Sequence, residues 1–435
     1  MTENVDVVVF GGGYAGVIAA NRLTRRADVT VTLINPRPSF VHRIRLHQLV
    51  GGSDEAVIDY REVLAARVRL VVDTVTRIGA AGRSVTLAGG GTVGYDHLVY
   101  AVGSGSAEPS VPGAAEFTWP IATLEEAARL RPLLDASPPT AAVTVVGGGP
   151  TGIETAAELA ETGRSVTLVC GGVLGPYLHP RGRRSVARRL GALGVTVLDG
   201  PGTRVTEVTR DAVRLSGGRT LPNGVTVWTA GFGVPDLAVR SGLSTDALGR
   251  LLTDETLTSV DDVRIVAAGD SAAPSGLPLR MSCQAAMPLG ARAADTVLSR
   301  IAGERPSPLN QAFAGQCISL GRRAGIFQFA HRSDVALWFH IAGGPGARLK
   351  ELVCRGIVKH MSDEAAEPGT YRLHRVPGGT GRRRLLRAGG VGERAVPPGI
   401  RRSPEASDEE EPCGGVRTRR PTASGGRPRR GGAGT

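Results

Sequence analysis

Aromatic residues and paired cysteines are scarce in this sequence of 435 residues, and each scarcity excludes a class of protein. Aromatic residues make up 4% of the chain, which argues against a nucleic-acid reader that stacks bases on aromatic rings. Cysteine occurs five times, and no two cysteines are close enough for a CxxC pair or a zinc knuckle. The spacing predicts a reduced cytoplasmic protein without a metal site.

Long apolar runs and lysine are also rare. No apolar stretch approaches the ~18 residues that a membrane-spanning helix needs, and the chain leads from Met1 almost directly into a strand, so no signal peptide is expected. The net charge is +12, and the only lysines are Lys350 and Lys359, so 50 of the 52 lysine and arginine residues are arginine. So uniform a bias indicates a GC-rich gene rather than phosphate-binding arginines throughout.

Glycine is abundant instead, with 61 residues, about twice the usual share. The apolar run 5–10 predicts a buried parallel strand, and residues 11–16 follow it as GxGxxG. A helix is predicted over 14–25 and a second strand over 29–34. The first glycine allows the tight turn, the second lets a pyrophosphate approach the backbone, and the third lets helix and strand pack closely. This is a dinucleotide-binding pattern.

The same order recurs later in the chain. Strand, GxGxxG, helix and strand follow one another over residues 142–170, with the glycine motif at 147–152. Each unit continues into a β-meander and a closing glycine, Gly103 in the first half and Gly231 in the second. An internal duplication is far more specific than one motif. The alternative is a coincidence of glycine runs in a biased composition.

A third apolar strand is predicted over 263–268 and ends at Gly269 and Asp270, where a carboxylate can accept hydrogen bonds from sugar-like hydroxyls. The helix that follows, through Ile301, offers its N-terminal N–H groups and positive dipole to an electron-rich ring edge. This order of motifs resembles the pyridine nucleotide–disulfide oxidoreductase superfamily, flavoproteins with two dinucleotide-binding domains. The resemblance covers about residues 5–360.

The resemblance implies an α/β fold in which an NAD(P)-binding Rossmann-like domain is inserted in an FAD-binding one. The FAD domain is expected over 1–118 and 252–305, and the NAD(P) domain over 119–251. A small α+β interface domain is expected over 306–361. A disordered tail rich in Arg, Gly and Pro is expected over 362–435, although a frameshifted gene end remains an alternative for it.

The resemblance also implies where the two cofactors, FAD and NAD(P)H, bind. FAD is expected on Gly11, Gly13 and Gly16, with Asp270 on the ribityl chain. The backbone of Val75, in a strand expected over 70–78, is expected at the adenine. The nicotinamide dinucleotide is expected on Gly147, Gly149 and Gly152. The other expected cofactor contacts are Tyr14, Ala15, Asn35, Arg43, Val102, Gly103, Pro150, Thr151, Gly231, Gly269, Gln284 and Ala285.

The slot that holds a reactive cysteine pair in many disulfide reductases has no cysteine between residues 36 and 52, and the second unit has only Cys170, so that chemistry is not expected. The stretch 35–48 resembles instead the type II NADH dehydrogenase and apoptosis-inducing-factor-like branch. By that resemblance His47 is expected near the flavin as a proton or hydrogen-bond donor, or else to pack beneath the flavin loop. Glu154 is expected near the nicotinamide, or else to complement the helix dipole.

Both units lack the ribose-binding acid that normally follows their second strand. Asn35 stands in that position in the first unit and Cys170 in the second. Loss of the acid removes repulsion against a 2′-phosphate, and Arg181, Arg183 and Arg184 follow shortly after Cys170. The pattern therefore predicts that NADPH is used at least as well as NADH.

The C-terminal part predicts a hairpin over 317–329 and helices over 335–342 and 348–361. The apolar, aromatic cluster at 337–341 is expected in a buried core helix, with an interfacial membrane anchor as the alternative. By the resemblance, this small domain supplies either a homodimer contact or a membrane-facing surface. The protein is therefore expected in the cytoplasm, with peripheral attachment to the cytoplasmic face of the membrane as the alternative.

The leading hypothesis is an NAD(P)H dehydrogenase in which hydride passes to the flavin and electrons continue to a quinone or another small acceptor. An apoptosis-inducing-factor-like, redox-responsive binding module is the alternative. A nucleic-acid binder that uses the arginine-rich tail is a third class, and it is disfavoured because aromatic residues are scarce between the arginines. No specific nucleic-acid partner is expected.

Overall fold

The computed structural model describes residues 4–378 and 380–387. The strands, in chain order, are β1 (Val5–Phe10), β2 (Val29–Asn35), β3 (Ser39–Val41), β4 (Val57–Asp59), β5 (Val68–Val72), β6 (Val75–Gly79), β7 (Ser84–Leu87), β8 (Thr92–Gly94), β9 (His97–Tyr100), β10 (Gly105–Ser106), β11 (Trp119–Pro120), β12 (Val143–Val146), β13 (Val166–Val169), β14 (Thr196–Leu198), β15 (Val205–Val208), β16 (Ala212–Leu215), β17 (Thr220–Pro222), β18 (Val225–Trp228), β19 (Phe232–Gly233), β20 (Leu251–Thr253), β21 (Ile265–Ala267), β22 (Ala272–Pro274), β23 (Gly315–Ser319), β24 (Gly325–Ala330) and β25 (Ala336–Gly343).

The α-helices are α1 (Tyr14–Leu23), α2 (Leu46–Gly51), α3 (Tyr60–Val63), α4 (Ala114–Phe117), α5 (Leu124–Ala136), α6 (Pro150–Glu161), α7 (Pro180–Ala192), α8 (Leu237–Arg240), α9 (Cys283–Ile301), α10 (Gly344–Ala366) and α11 (Gly381–Arg387). Short 3₁₀ helices span Arg43–Arg45, Gly269–Ser271 and Leu373–Arg375.

The first sheet is parallel and has the order β21-β9-β1-β2-β5. Val7 and Val9 of β1 pack in one core cluster with α1 and α9, whereas Val8 and Phe10 pack in another with the meander β6–β8. Burial on both faces explains why β1 is apolar throughout instead of alternating.

The second sheet, β11-β18-β12-β13-β14, is also parallel and is built from chain that lies between β9 and β21. The strand–turn–helix–strand order predicted for both dinucleotide units is therefore confirmed, and so is the α/β class with one Rossmann-like unit inserted in the other. The domain boundaries remain predictions.

The C-terminal sheet joins the two halves. Its strands β23, β24 and β25 are antiparallel, which confirms the predicted hairpin. Ile318 and Ile326 of this sheet pack in the core cluster of α6, while Ile357 and Met361 of α10 pack in the cluster of α1. The amino-terminal part of α10 therefore lies where the second dinucleotide unit meets the first.

Two predictions of secondary structure differ from the structure. The single strand expected over 70–78 is two strands, β5 and β6, because the Asp73 carboxylate accepts N–H bonds from Thr74 and Gly89 and turns the chain. The helix expected over 335–342 is the strand β25, whose backbone pairs with β24. A short apolar run carries no periodicity that separates a strand from a helix.

The aromatic cluster of β25 is not part of a buried core. Trp338 is 62% exposed and Phe339 is 48% exposed. The side chain of Gln328, on β24, binds the backbone of β25: its Nε2 donates to the carbonyl oxygens of Leu337 and Phe339. The expectation of a buried core helix is therefore wrong for these residues.

The expected start of disorder at Ser362 is also wrong. The helix α10 continues to Ala366, and Glu364 accepts N–H bonds from Gly369 and Tyr371. Arg382 then forms a bidentate pair with Glu255. The Arg382–Glu255 pair joins charges that are distant in sequence, so local composition does not reveal it. The rest of the predicted tail, residues 388–435, lies outside the described residues.

Candidate functional site

The first glycine-rich turn leaves one open surface for a ligand. A Cβ on Gly11 or Gly16 would overlap backbone of the protein itself, whereas a Cβ on Gly13 would meet nothing within 4 Å. Gly13 is the N-cap of α1 and no side chain caps the helix. The free N–H groups of the helix start therefore face space that an anionic group such as a pyrophosphate can enter.

The turn is held from its outer side. Asn35 Oδ1 accepts a hydrogen bond from the Gly12 N–H at 2.9 Å, and the Tyr60 hydroxyl donates to the Gly12 carbonyl at 2.8 Å. Asn35 Nδ2 donates to the Arg37 carbonyl. Asn35 thus shapes the glycine turn as well as standing at the expected ribose position.

The second turn repeats this arrangement. A Cβ on Gly147 or Gly152 would collide with neighbouring protein atoms, but one on Gly149 would meet nothing within 4 Å. Gly149 is the N-cap of α6, again without a side-chain cap, and Pro150 occupies the first turn. Both predicted units therefore offer the same anion-binding geometry, and Thr151 lies in the first turn of α6 beside it.

A cluster of polar side chains, Ser104, Asp270 and Arg43, lies where β9 and β21 end. Ser104 Oγ donates to Asp270 Oδ2 at 2.7 Å, and Arg43 Nη1 donates to Ser104 Oγ at 3.2 Å. The nearby start of α9 is capped by Ser282, which accepts from the Ala285 N–H. Gln284 Oε1 is buried there and has no hydrogen-bond partner among the described residues. An orphaned buried acceptor of this kind fits a polar ligand that completes the site.

The two candidate catalytic residues lie close together. Glu154, on α6, is 3.6 Å from Nδ1 of His47, on α2. Glu154 Oε1 also accepts from the Ser319 N–H at 2.9 Å and lies 2.9 Å from Nζ of Lys350, on α10. All of these groups except the Ser319 N–H are side chains, and all lie inside the protein. The structure thus brings three parts of the chain to one carboxylate.

The charge states within this cluster follow from burial and pairing. Burial acts to raise the pKa of Glu154, but Lys350, His47 and the Ser319 N–H hold that pKa below its usual value. Burial acts to lower the pKa of Lys350, but Glu154 raises it well above its usual value. Burial lowers the pKa of His47 to about 4, and Lys350 and Arg322 oppose protonation further, although Glu154 favours it. At neutral pH the carboxylate and the ammonium are charged and His47 is neutral.

Sequence reasoning missed Lys350, Ser319 and Arg322. Arg322 Nη2 lies 2.9 Å from Glu158 and 3.5 Å from His47 Nε2. One signal was available: Lys350 is one of two lysines in a chain that otherwise uses arginine. At the buried position of Lys350 a compact ammonium fits beside Glu154, whereas a guanidinium is larger and planar.

The arginines expected to bind a 2′-phosphate are partly committed elsewhere. Arg183 Nε donates to the carbonyls of Gly175 and Leu178 at 3.2 and 3.1 Å. The Arg181 guanidinium lies 5.4 Å from the centroid of the Trp338 ring. Arg184 is exposed to solvent.

The four cysteines within the described residues are free thiols. Burial raises the pKa of Cys283 to about 12 and that of Cys354 to about 11. Thiolates, the reactive form, are therefore scarce at these positions. Among residues 4–378 and 380–387 there is also no helix whose length and apolar content would let it span a bilayer, and no cluster of His, Cys, Asp and Glu arranged to hold a metal.

Comparison with known proteins adds independent findings. A family model described as pyridine nucleotide-disulphide oxidoreductase matches residues 5–290. The NADH dehydrogenase-like protein Rv1812c of Mycobacterium tuberculosis is 32% identical over 355 residues, which cover 74% of this chain and 87% of that protein. The type II NADH:quinone oxidoreductase Ndh of the same organism is 30% identical over 349 residues, 69% of this chain and 74% of that protein.

Among solved structures, NDH2 from Plasmodium falciparum in complex with NADH superposes with a TM-score of 0.68 at 16% identity. The match covers 85% of this chain and 99% of that chain. At this identity the likeness establishes a shared fold.

Proposed function

The chain belongs to the pyridine nucleotide-disulphide oxidoreductase family, and from that premise we propose that it transfers electrons from NAD(P)H to a quinone. It is an oxidoreductase of the NADH dehydrogenase-like kind, with FAD and NAD(P)H as its cofactors. The quinone is supported by two relatives, one named a type II NADH:quinone oxidoreductase and one named a demethylphylloquinone reductase. When bound, FAD supplies the hydride acceptor and passes electrons onward.

The buried Glu154–Lys350 pair is the observation that carries the proposal. It joins the helix of the second dinucleotide unit to the C-terminal helix at 2.9 Å. We propose that Glu154 orients the nicotinamide end of NAD(P)H, because its carboxylate is fixed by Lys350 and by the Ser319 N–H. Lys350 is then a positioning residue: it keeps Glu154 ionised inside the protein, where an unpaired carboxylate would take up a proton.

His47 is proposed to hold a proton on the acceptor side. Its Nε2 faces Arg322, which can only donate, so Nε2 is the unprotonated ring nitrogen and Nδ1 carries the hydrogen that faces Glu154. A neutral imidazole with this tautomer can relay a proton and stay uncharged, because Nδ1 can release its hydrogen as Nε2 takes one up. This arrangement suits an acceptor that takes up protons together with electrons, as a quinone does.

The glycine turns and the acid at Asp270 are proposed to hold the cofactors. Gly13 and Gly149 leave room for the two pyrophosphates at the starts of α1 and α6. Asp270, fixed by Ser104, is proposed to accept hydrogen bonds from the flavin sugar chain. Gln284 lies at the start of α9, and its Oε1, which has no partner in the described part of the chain, can accept from a polar ring edge.

We further propose that the protein meets its quinone at a membrane surface. Trp338 and Phe339 project from β25, and α7, which packs beside it, has five arginines and no acidic residue. Ser185 of α7 and His340 of β25 share a hydrogen bond of 2.9 Å. Of these arginines, Arg189 pairs with Glu161 on α6. Exposed aromatic rings beside an arginine-rich helix suit the interface of an anionic bilayer. A homodimer contact remains the alternative for this surface.

The experiment that tests the proposal is anaerobic reduction followed by reoxidation. The purified protein should show a flavin spectrum, lose its visible absorbance on addition of NADH or NADPH, and regain it when a short-chain quinone is added. Rapid reduction with only slow reoxidation by quinone would support a redox-responsive binding module instead. A protein that takes up no FAD would contradict the function altogether.

A further inference from the structure

In the second dinucleotide unit, a carboxylate follows the third strand, β14, whereas none follows the second strand, β13. The strands β13 and β14 are parallel neighbours, with Val169 paired to Leu198 in register. The pairing continues one residue further, because the Cys170 N–H donates to the Leu198 carbonyl at 2.8 Å. Cys170 and Asp199, the first residues after the two strands, therefore lie side by side at the carboxyl edge of the sheet.

Cys170 marks the place where an acid normally binds the adenosine ribose. It borders the glycine turn, since a Cβ on Gly148 would lie 2.9 Å from the Cβ of Cys170. Neighbouring residues at paired positions of parallel strands lie on the same face of a sheet. Asp199 consequently faces the same edge as Cys170, and together with burial its charge raises the pKa of Cys170.

The Asp199 carboxylate is available to a ligand. It is exposed, and it forms no hydrogen bond or ion pair with any residue in 4–378 or 380–387. Arg183, one of the arginines expected to bind a 2′-phosphate, is occupied by the carbonyls of the loop between β13 and α7. The edge at which the ribose is expected therefore carries an unneutralised negative charge.

We propose that Asp199 makes this protein select NADH over NADPH. The carboxylate comes from the third strand of the unit instead of the second, where it can accept a hydrogen bond from the adenosine part of NADH and repels a 2′-phosphate. This reverses the expectation drawn from Cys170 and the arginines after it. The inference rests on the proposed function, in that the second unit must bind a nicotinamide dinucleotide.

The size of the effect follows from the exposure of Asp199. A carboxylate near a phosphate that carries between one and two negative charges is partly screened by water and salt. We expect replacement of Asp199 by a neutral residue to tighten binding of the 2′-phosphorylated dinucleotide by about five- to thirty-fold. Binding of the unphosphorylated dinucleotide should stay equal or weaken by a few fold, because it loses at most one hydrogen bond.

The test is calorimetric binding of NAD⁺ and NADP⁺ to the purified FAD-loaded protein, which needs no turnover. Asp199→Asn keeps the size of the side chain and removes its charge. Asp211→Asn, an exposed acid in the turn before β16, is the matched control. The wild type should bind NAD⁺ more tightly than NADP⁺. Asp199→Asn should bring the two dissociation constants closer together, and Asp211→Asn should leave their ratio unchanged. Higher salt should narrow the wild-type ratio as well.

The outcomes separate the inference from the function on which it rests. If both dinucleotides bind and Asp199→Asn leaves their affinity ratio unchanged, or if the wild type prefers NADP⁺, the role of Asp199 is wrong while the oxidoreductase function stands. If neither dinucleotide binds the flavin-loaded wild type, the proposed function of the second unit fails. The flavin spectrum of each variant reports whether it has folded.

Discussion

The ammonium group of Lys350 lies 2.9 Å from the carboxylate of Glu154, and both side chains are buried. One belongs to the last long helix and the other to the first turns of α6, in the inserted unit. A buried charge pair contributes little net stability, but loss of one partner is costly, because the other charge is left without compensation. The pair therefore couples the C-terminal helix to the dinucleotide-binding half.

Replacing Lys350 by methionine should destabilise the protein by about 3–5 kcal/mol. Burial would then raise the pKa of Glu154, because its main counter-charge is gone. Lys359→Met is the matched control, since the Lys359 side chain is 73% exposed against 8% for Lys350, and it should cost less than about 1 kcal/mol. Urea unfolding measures the free energy of unfolding of both variants. The double variant Lys350→Met/Glu154→Gln should recover part of the loss, and an equal cost for the two lysine variants would contradict a buried pair.

Stability should fall as the pH is lowered from about 6.5 to about 4, and His47 should carry part of this fall. Its pKa is lowered from 6.5 to about 4 in the folded protein, so in this window the unfolded chain binds a proton that the folded protein does not. The contribution of His47 to the free energy of unfolding is fully present above its pKa in the unfolded chain. As the pH falls toward its pKa in the folded protein, this contribution, about 3 kcal/mol, is lost.

His47→Asn should flatten this pH dependence without abolishing it. His42 also has a pKa lowered to about 4 by burial and remains in the variant. Chemical denaturation at a series of pH values provides the slopes. A slope unchanged by His47→Asn would show that His47 is solvated or already protonated in the folded protein.

Replacing Asp270 by alanine should lower the FAD content of the purified protein. The flavin sugar chain would lose a charged acceptor, a contribution of about 1.5–3 kcal/mol. Ser104→Ala removes the 2.7 Å hydrogen bond that orients Asp270 but leaves the charge, so its effect should be smaller. The ratio of flavin to protein absorbance, measured after dialysis, ranks the variants, and full occupancy in Asp270→Ala would exclude this role.

The exposed aromatic side chains of β25, Trp338 and Phe339, should bind anionic membranes. We expect wild-type protein to sediment with vesicles that contain phosphatidylglycerol and much less with vesicles of phosphatidylcholine alone, since Arg181 of the arginine-rich helix α7 lies beside Trp338. The double variant Trp338→Ser/Phe339→Ser should lose most of this binding. Val263→Ser removes an apolar side chain that is 68% exposed elsewhere and should bind as the wild type does. If the double variant binds vesicles normally but changes its elution on gel filtration, the surface is a subunit contact.

Local chemistry allowed much of the molecule to be predicted. The turns at Gly11–Gly16 and Gly147–Gly152 were predictable because strand, turn and helix are consecutive, and the glycines are required within the turn itself. The position of Glu154 followed from its place in the second motif. The strand β25 was assigned as a helix because the apolar run around Trp338 has no periodicity, and its pairing with β24 is a tertiary choice.

The sequence by itself determined the two dinucleotide units, because each is a pattern within about thirty residues of chain, the span of one βαβ unit. The α/β class and the family followed from the duplication and order of these units along the chain. Only the tertiary structure decided which residues complete the site. Lys350 meets Glu154 because α10 packs across the two halves, and Asp199 meets Cys170 because β13 and β14 are in register. Contacts of this kind depend on how distant segments pack, and no local periodicity or motif encodes the partner.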